Sequence, residues 1–287
     1  VNNKFISHLF SLSSYYKTIH QNLGATINSI NNNDLKKFKF FFPSLDEQQK
    51  LASFLCEVDK KLQQLTKKKE LLKEYKKGVM QKIFSQELRF RDDSGNNYPD
   101  WEEKKLNEVL FEHKLKSTGK EEVYSVSVHK GLINQIKHLG RSFSAKNTDH
   151  YSLVKPNDIV YTKSPTGQFP YGIIKQAKIS KDVIVSPLYG VFTPESEYLG
   201  YMLDIYFESK HNVHNYLHSI IQKGAKNTIN ITNSTFLSKS FKLPIDFDEQ
   251  RKIGDFLSSI DSKIDLVSTQ IENTKAFKKG LLQQMFV

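Results

Sequence analysis

The sequence predicts an α+β chain: a mixed β-rich domain with helices, plus two long helices forming an antiparallel coiled coil. Three observations lead there. First, Asp46-Glu47-Gln48-Gln49-Lys50-Leu51 with Phe54-Leu55 returns as Asp248-Glu249-Gln250-Arg251-Lys252-Ile253 with Phe256-Leu257, an offset of 202 residues. The same offset pairs Asp59 with Asp261, Lys61 with Lys263, Lys76-Lys77-Gly78 with Lys278-Lys279-Gly280, Gln81 with Gln283 and Phe84 with Phe286. Second, each copy carries 4,3 apolar spacing. It runs Leu51, Leu55, Val58, Leu62, Leu65, Lys69, Leu72, Lys76, Val79, Ile83 in one, and Ile253, Leu257, Ile260, Ile264, Val267, Ile271, Thr274, Lys278, Leu281, Met285 in the other. Third, the stretch between the copies is rich in period-2 and continuous apolar runs, the mark of strands.

Taken in order, residues 1–42 read as the end of a globular unit. Gly24-Ala25 and Thr26-Ile27-Asn28 parallel Gly224-Ala225 and Thr228-Ile229-Asn230, and Phe40-Phe41-Phe42-Pro43 parallels Phe241-Lys242-Leu243-Pro244. Proline followed by Asp46 or Asp248, the candidate N-caps, starts each helix, 43–87 and 244–287. A helix of about 40 residues is roughly 60 Å long and needs a partner for its apolar stripe. The other copy is that partner, within one chain or between two. Lys76 and Lys278 at matching seam positions imply a layer that is open, snorkelling or selective for register. The lysine runs near Lys67 and Lys76 otherwise form the wet side. A polar linker, Arg91 to Asn97, opens the complete unit, 88–243. Inside it Val123 to Val128, Asp158 to Tyr161 and Val183 to Val185 read as strands, and Tyr198 to Gln222 as helix. About 42 residues precede Pro43 whereas about 158 separate the first helix from Pro244, and the chain begins with Val; a first unit short by roughly 110–120 residues reads as a truncated or partial product.

Composition narrows the partners. The 287 residues carry 42 Lys+Arg against 31 Asp+Glu, a net charge of +11 with pI about 9.3, which favours a polyanion. No run of about 18 apolar residues suggests a membrane span, and Val1 to Phe10 lacks a signal-peptide layout. Cys56 is the one cysteine, so an intrachain disulfide and any multi-cysteine zinc site are excluded; a reducing cytoplasm fits, with Cys56 a small side chain on the helix.

A globular unit followed by a long helix, repeated, resembles the DNA-specificity subunits of type I restriction-modification enzymes, over nearly the whole chain. The most specific match is Pro43 through Leu51 and Pro244 through Ile253, proline then Glu-Gln at a basic, apolar helix start. Tyr98-Pro99-Asp100-Trp101 resembles the family's domain opening, and Lys155-Pro156-Asn157-Asp158-Ile159-Val160 its Lys-Pro-Gly-Asp-Ile strand start, with Asn157 in place of glycine. Gly224-Ala225 and Phe236-Leu237 into Leu243-Pro244 resemble its domain exit. The resemblance implies that each globular unit is a target recognition domain reading half of a split site, while the helices space the halves. It also implies double-stranded DNA, modification (methyltransferase) subunits and restriction (translocase/nuclease) subunits as partners. S-adenosylmethionine, ATP and Mg belong to those partners.

Base reading and phosphate binding need Lys, Arg, Asn, Gln, Ser and Thr on a rigid support. Thr162-Lys163-Ser164-Pro165-Thr166-Gly167-Gln168 follows a strand and is shaped by Pro and Gly: Gln168 suits adenine, Lys163 guanine or phosphate, and Thr162, Ser164 and Thr166 complete the candidates. The alternative is an ordinary surface turn. A second loop offers Lys223, Lys226, Asn227 and Thr228 around Gly224. A third segment, with Lys130 and Arg141, fits solvated surface better than DNA contact.

No catalytic residue is assigned. Ser186-Pro187-Leu188-Tyr189 resembles an amino-methyltransferase motif but lacks its second proline and reads as a strand end; no phosphate loop occurs. His211, His214 and His218 share a helical face, but without a further ligand in view they read as a polar face, and no metal is expected. Non-catalytic sequence recognition leads, with copies able to pair through their helices; a coiled-coil scaffold binding DNA non-specifically, or a non-functional fragment, is the alternative.

Overall fold

The computed structural model describes residues 1–10, 12, 36, 42–140, 147–167, 169–223 and 229–285. In chain order the elements run α1 (Asn3–Leu9), α2 (Leu45–Phe84), β1 (Glu102–Lys105), α3 (Leu106–Val109), β2 (Leu110–Phe111), β3 (Tyr124–Ser127), β4 (Gly131–Asn134), α4 (Gln135–Leu139), β5 (Ser152–Val154) and β6 (Ile159–Tyr161). There follow β7 (Ile174–Gln176), β8 (Val183–Val185), β9 (Gly190–Pro194), α5 (Glu197–Phe207), α6 (Lys210–Leu217), β10 (Gln222–Lys223), β11 (Ile229–Asn230), α7 (Asn233–Phe236), β12 (Ser240–Leu243) and α8 (Phe247–Met285). They divide into two compact units, Val1–Lys77 with Ile260–Val287, and Gly78–Ser259.

In the first unit α2 as far as Lys77 and α8 from Ile260 on pack antiparallel within the chain. Every residue of the two expected seams is buried or half-buried. Direction follows from two ion pairs: Lys76, late in α2, meets Asp261 (Nζ–Oδ1 2.7 Å), and Lys278, late in α8, meets Asp59. Residue numbers in the two pairs have the same sum, as a pseudo-twofold register requires. The lysine layer is therefore bridged rather than open, and each carboxylate is the other copy's repeat partner. Between the bridges Leu65 packs with Val267 and Ile271. Toward the start of α2, Ala52, Leu55 and Leu282 close over Phe5, Leu9 and Leu12.

Both helix starts differ from expectation by two residues. The Glu47 amide donates to Ser44 Oγ (3.3 Å) and the Glu249 amide to Asp246 Oδ1 (3.0 Å), so Ser44 and Asp246 are the caps, while Asp46 and Asp248 lie in the first turn, where their charge still favours the helix dipole. Each start is also locked by its glutamine. Gln48 Nε2 donates to the Pro43 carbonyl (2.8 Å) and Gln250 Nε2 to that of Pro244 (3.0 Å), satisfying a carbonyl just before the helix.

The second unit is built on an antiparallel sheet ordered β2-β9-β6-β7. Central β6 is fully buried on both faces: Ile159 and Tyr161 enter one core with Phe192, Leu203, Phe207 and Phe236, and Val160 the other with Val154, Val183, Val185 and Val191. That explains a continuous apolar run rather than alternation. Asn157 has φ +70°, the left-handed region where glycine or asparagine is favoured, so its replacement of the family's glycine is physically compatible. Asp158, 1 % exposed, then accepts from the Lys155 amide (2.7 Å) and Thr193 Oγ1 (2.8 Å).

One further expectation differs from the structure. The helix over Tyr198 to Gln222 is two helices, because Ser209 accepts from the Asn212 amide as the N-cap of α6, and Gln222 belongs to β10. The polar linker Arg91 to Asn97 is a closed turn. Asp92 Oδ1 accepts from the Ser94 and Asn96 amides, and Asp93 pairs with Lys252 (2.6 Å).

Candidate nucleic-acid interface

Strand direction collects four segments at one end of the second unit's sheet. Tyr161, the last residue of β6, pairs with Gly190, the first of β9, and with Ile174, the first of β7. β2 runs antiparallel to β9 from Phe111↔Thr193, so the chain after Phe111 heads toward the same end. A parallel bridge, Val123↔Ile184, sets β3 and β8 running together, which brings the turn 128–130 beside 186–189. The rim thus consists of 112–116, 128–130, 162–167, 169–173 and 186–189.

The hairpin joining β6 to β7 is the best-anchored part. Tyr161 Oη donates to the Tyr171 carbonyl (2.7 Å) inside the core, and burial pushes its hydroxyl well above the ordinary tyrosine range. Phe169 and Tyr171 are buried beside it, and Thr166 and Phe169 exchange backbone hydrogen bonds at 3.1 and 2.8 Å. Gly172, at φ +91°, lets the two arms close, since a Cβ there would sit 2.9 Å from Tyr161. Ser164, Pro165, Thr166 and Gly167 are left exposed on a stiff base. Lys163 is half-buried at φ +40°, and burial lowers its ammonium from the usual lysine range, with Glu112 opposing. Thr162 faces inward instead: it is 3 % exposed and its hydroxyl accepts from the Ile173 amide (3.0 Å), which makes it a strut of the hairpin and corrects its reading as a surface contact.

Lys130 stands exposed at the β3–β4 turn, on the same rim. Lys223 lies in β10, paired with Ile229. Ile229 and Ile231 pack on the core that holds Phe169 and Tyr171, so this hairpin and the β6–β7 hairpin share one support. Gln168, Lys226, Asn227, Thr228 and Arg141 lie outside the described residues.

Sequence reasoning missed the segment 112–116. His113 accepts from the Leu115 amide at Nδ1 (3.1 Å), which leaves Nε2 to donate to Asp158 (3.0 Å) and ties the segment to the sheet. Lys114, at φ +55°, and Lys116 then line a shallow cleft with Leu115, Pro187, Tyr189 and Asn233. Two isolated lysines flanking a leucine carry no motif; the His113–Asp158 bond, 45 residues apart, and the Leu153 amide donating to the Leu115 carbonyl (3.0 Å) give them a place. His214 and His218 stack at 4.8 Å beside Tyr171, and His211 bonds Asn215, an aromatic and polar face. Among the described residues no group of three or more His, Cys, Asp or Glu could hold a metal, and no helix is long and apolar enough to cross a membrane.

The family described as type I restriction modification DNA specificity domain matches residues 1–74 and 98–275, and the chain belongs to that family. The type I restriction enzyme MjaVIII specificity subunit of Methanocaldococcus jannaschii is 25% identical over 283 residues, covering 91% of this chain and 64% of that protein, so the chain spans less than two thirds of this relative's length. A crystal structure of a type I restriction-modification S subunit from M. genitalium superposes with TM-score 0.59 at 16% identity, covering all of this chain and 73% of that one, and shows the fold. The HsdS subunit from Thermoanaerobacter tengcongensis matches with TM-score 0.42 at 15% identity, over all of this chain and 70% of that one.

Proposed function

We propose that this chain reads DNA sequence for a type I restriction-modification complex and performs no chemistry itself. The observation that carries it is the sheet end, where Ser164, Thr166 and Lys130 stand on hairpins and Lys114 and Lys116 on the segment after β2, beside a buried core. Rigid presentation is what base readout demands, because a side chain that must be ordered on binding gives up rotamer entropy. Under this reading residues 88–243 are a target recognition domain and 1–42 the C-terminal part of another. The helices 43–87 and 244–287 are the spacer; a rod of roughly 60 Å spans between one and two duplex turns of ~34–36 Å.

The outward faces of the helices leave Leu71 and Tyr75 on α2 and Leu266 and Phe277 on α8 exposed, which supports docking of modification subunits there. Those subunits would bring S-adenosylmethionine, and restriction subunits ATP and Mg, in the cytoplasm.

The test is selection of binding sites from random duplex DNA by the chain co-expressed with its modification subunit. An enriched motif, split or single, is expected; a split one with fixed gap means two recognition domains held apart. A complex that binds with a steep salt dependence and enriches nothing would sink the reading in favour of a non-specific scaffold.

A further inference from the structure

Leu188 is 73% exposed at the tip of the turn that joins β8 to β9. A scattered surface leucine means nothing by itself, but this one is carried by a closed turn. The Leu188 amide donates to Ser186 Oγ (3.3 Å) and the Tyr189 amide to the Ser186 carbonyl (3.0 Å), so the turn is closed on itself with Pro187 at its corner. Behind it Gly190 has no room even for a Cβ, which would come within 2.7 Å of Phe192 and 2.9 Å of Asn233. The tip is thus held out from the sheet end that also carries Thr166 and Lys130. Lys114 and Lys116 line a cleft together with the residues on either side of it, Pro187 and Tyr189. Lys114 and Lys163 on this rim both occupy left-handed backbone, as sites shaped for a ligand often do.

A stiff apolar tip among cations fits a duplex whose phosphates meet the lysines while its groove receives the leucine. The apolar feature of the major groove is the C5-methyl of thymine. We propose that Leu188 reads a thymine by packing on that methyl, and is a specificity-determining residue; the inference rests on the sequence-reading function above.

The experiment compares Leu188→Ala with the unaltered chain, each in complex with the modification subunit, on the selected site and on copies with deoxyuridine replacing each thymine in turn. For the unaltered complex one deoxyuridine position should weaken binding about 5- to 20-fold. Leu188→Ala should weaken the intact site by a similar factor and show no further loss at that position, the coupling a direct contact requires. Binding to unrelated duplex and its salt slope should not change, since no charge is removed. Equal affinity and an unchanged motif for Leu188→Ala would overturn the proposal, and so would a loss that couples to no thymine. If the unaltered complex selects no sequence, it is the underlying reading that fails, and the assignment of Leu188 falls with it.

Discussion

The two long helices share their start motif, their bridging aspartate and their seam lysine at matching positions, yet the surroundings of the two copies differ, and the difference separates what the repeat does by itself from what its neighbours make of it. Lys76–Asp261 is the more deeply held bridge, with side chains 9 and 29% exposed against 19 and 35% for Lys278–Asp59. Gln48 Oε1 accepts from the Asn2 amide (3.0 Å), whereas Gln250 Oε1 accepts from Ser196 Oγ. Asn2 and Ser196 are each the N-cap of a short helix, α1 and α5, so both glutamines tie a long helix to the start of a shorter one. Glu47 is exposed, while Glu249 is buried beside Arg89. The shared motif encodes the lock at the helix start; the attached unit decides how dry that lock is.

The bridges give the largest expected effect. Lys76→Ala strands a carboxylate in a partly dry seam and should cost about 2–3 kcal/mol, less than a fully buried pair would because Asp261 keeps some water. Lys278→Ala, at the wetter bridge, should cost about half as much. Urea unfolding of the full chain measures both; equal costs would show that the helix copies are energetically interchangeable. Lys76→Met paired with Asp261→Leu should recover most of the loss, since a packed apolar pair is often no worse than a buried ion pair.

The locks come next. Gln250→Ala leaves the Pro244 carbonyl and the Ser196 hydroxyl without their partner in a buried place, and should cost about 2 kcal/mol. Gln48→Ala should cost about 1 kcal/mol, because Asn2 and Pro43 lie closer to solvent and water can replace the amide. Thermal or urea unfolding that ranks them the other way would mean that the first copy, not the second, is the better seated.

How much of this was legible beforehand follows from range. The seams, the antiparallel pairing and the buried strand at Ile159 rest on local periodicity and on an internal repeat, both visible in one sequence. The bridges were half visible: the repeat showed Asp59 with Asp261 and Lys76 with Lys278, but only an antiparallel register crosses them into opposite-charge pairs. The caps were missed because Asp46 and Asp248 are as good a chemical choice as Ser44 and Asp246, and cap geometry alone decides. At the candidate interface the β6–β7 hairpin was read from Pro and Gly in a polar run. Thr162 turned inward because a hydroxyl one residue past a strand can still close the ladder. Lys114 and Lys116 depend on contacts from distant chain, which no window of sequence contains, whereas the turn that carries Leu188 is closed by Ser186 two residues before it.

The smallest effect is in pH, and the two copies should respond with opposite sign. Next to the first, His8 is buried with Nδ1 3.9 Å from Asp59; burial, with Lys278 adding, lowers its imidazole from 6.5, and Asp59 opposes. The folded state therefore binds fewer protons than the unfolded one as pH falls below about 6.5, so this site contributes stability above that pH and loses it on acidification. At the second, burial raises Glu249 from 4.5, with Trp101 and Arg89 opposing. There the folded state holds its proton longer, so the contribution is full below 4.5 and is lost as pH rises through the raised value. His8→Gln should flatten the fall in stability between about pH 7 and 5, and Glu249→Gln should remove a gain on acidification just above 4.5. Unfolding midpoints across pH 4 to 8 measure both slopes. If the two variants alter the profile in the same direction, the surroundings of the copies do not differ in the way their burial implies.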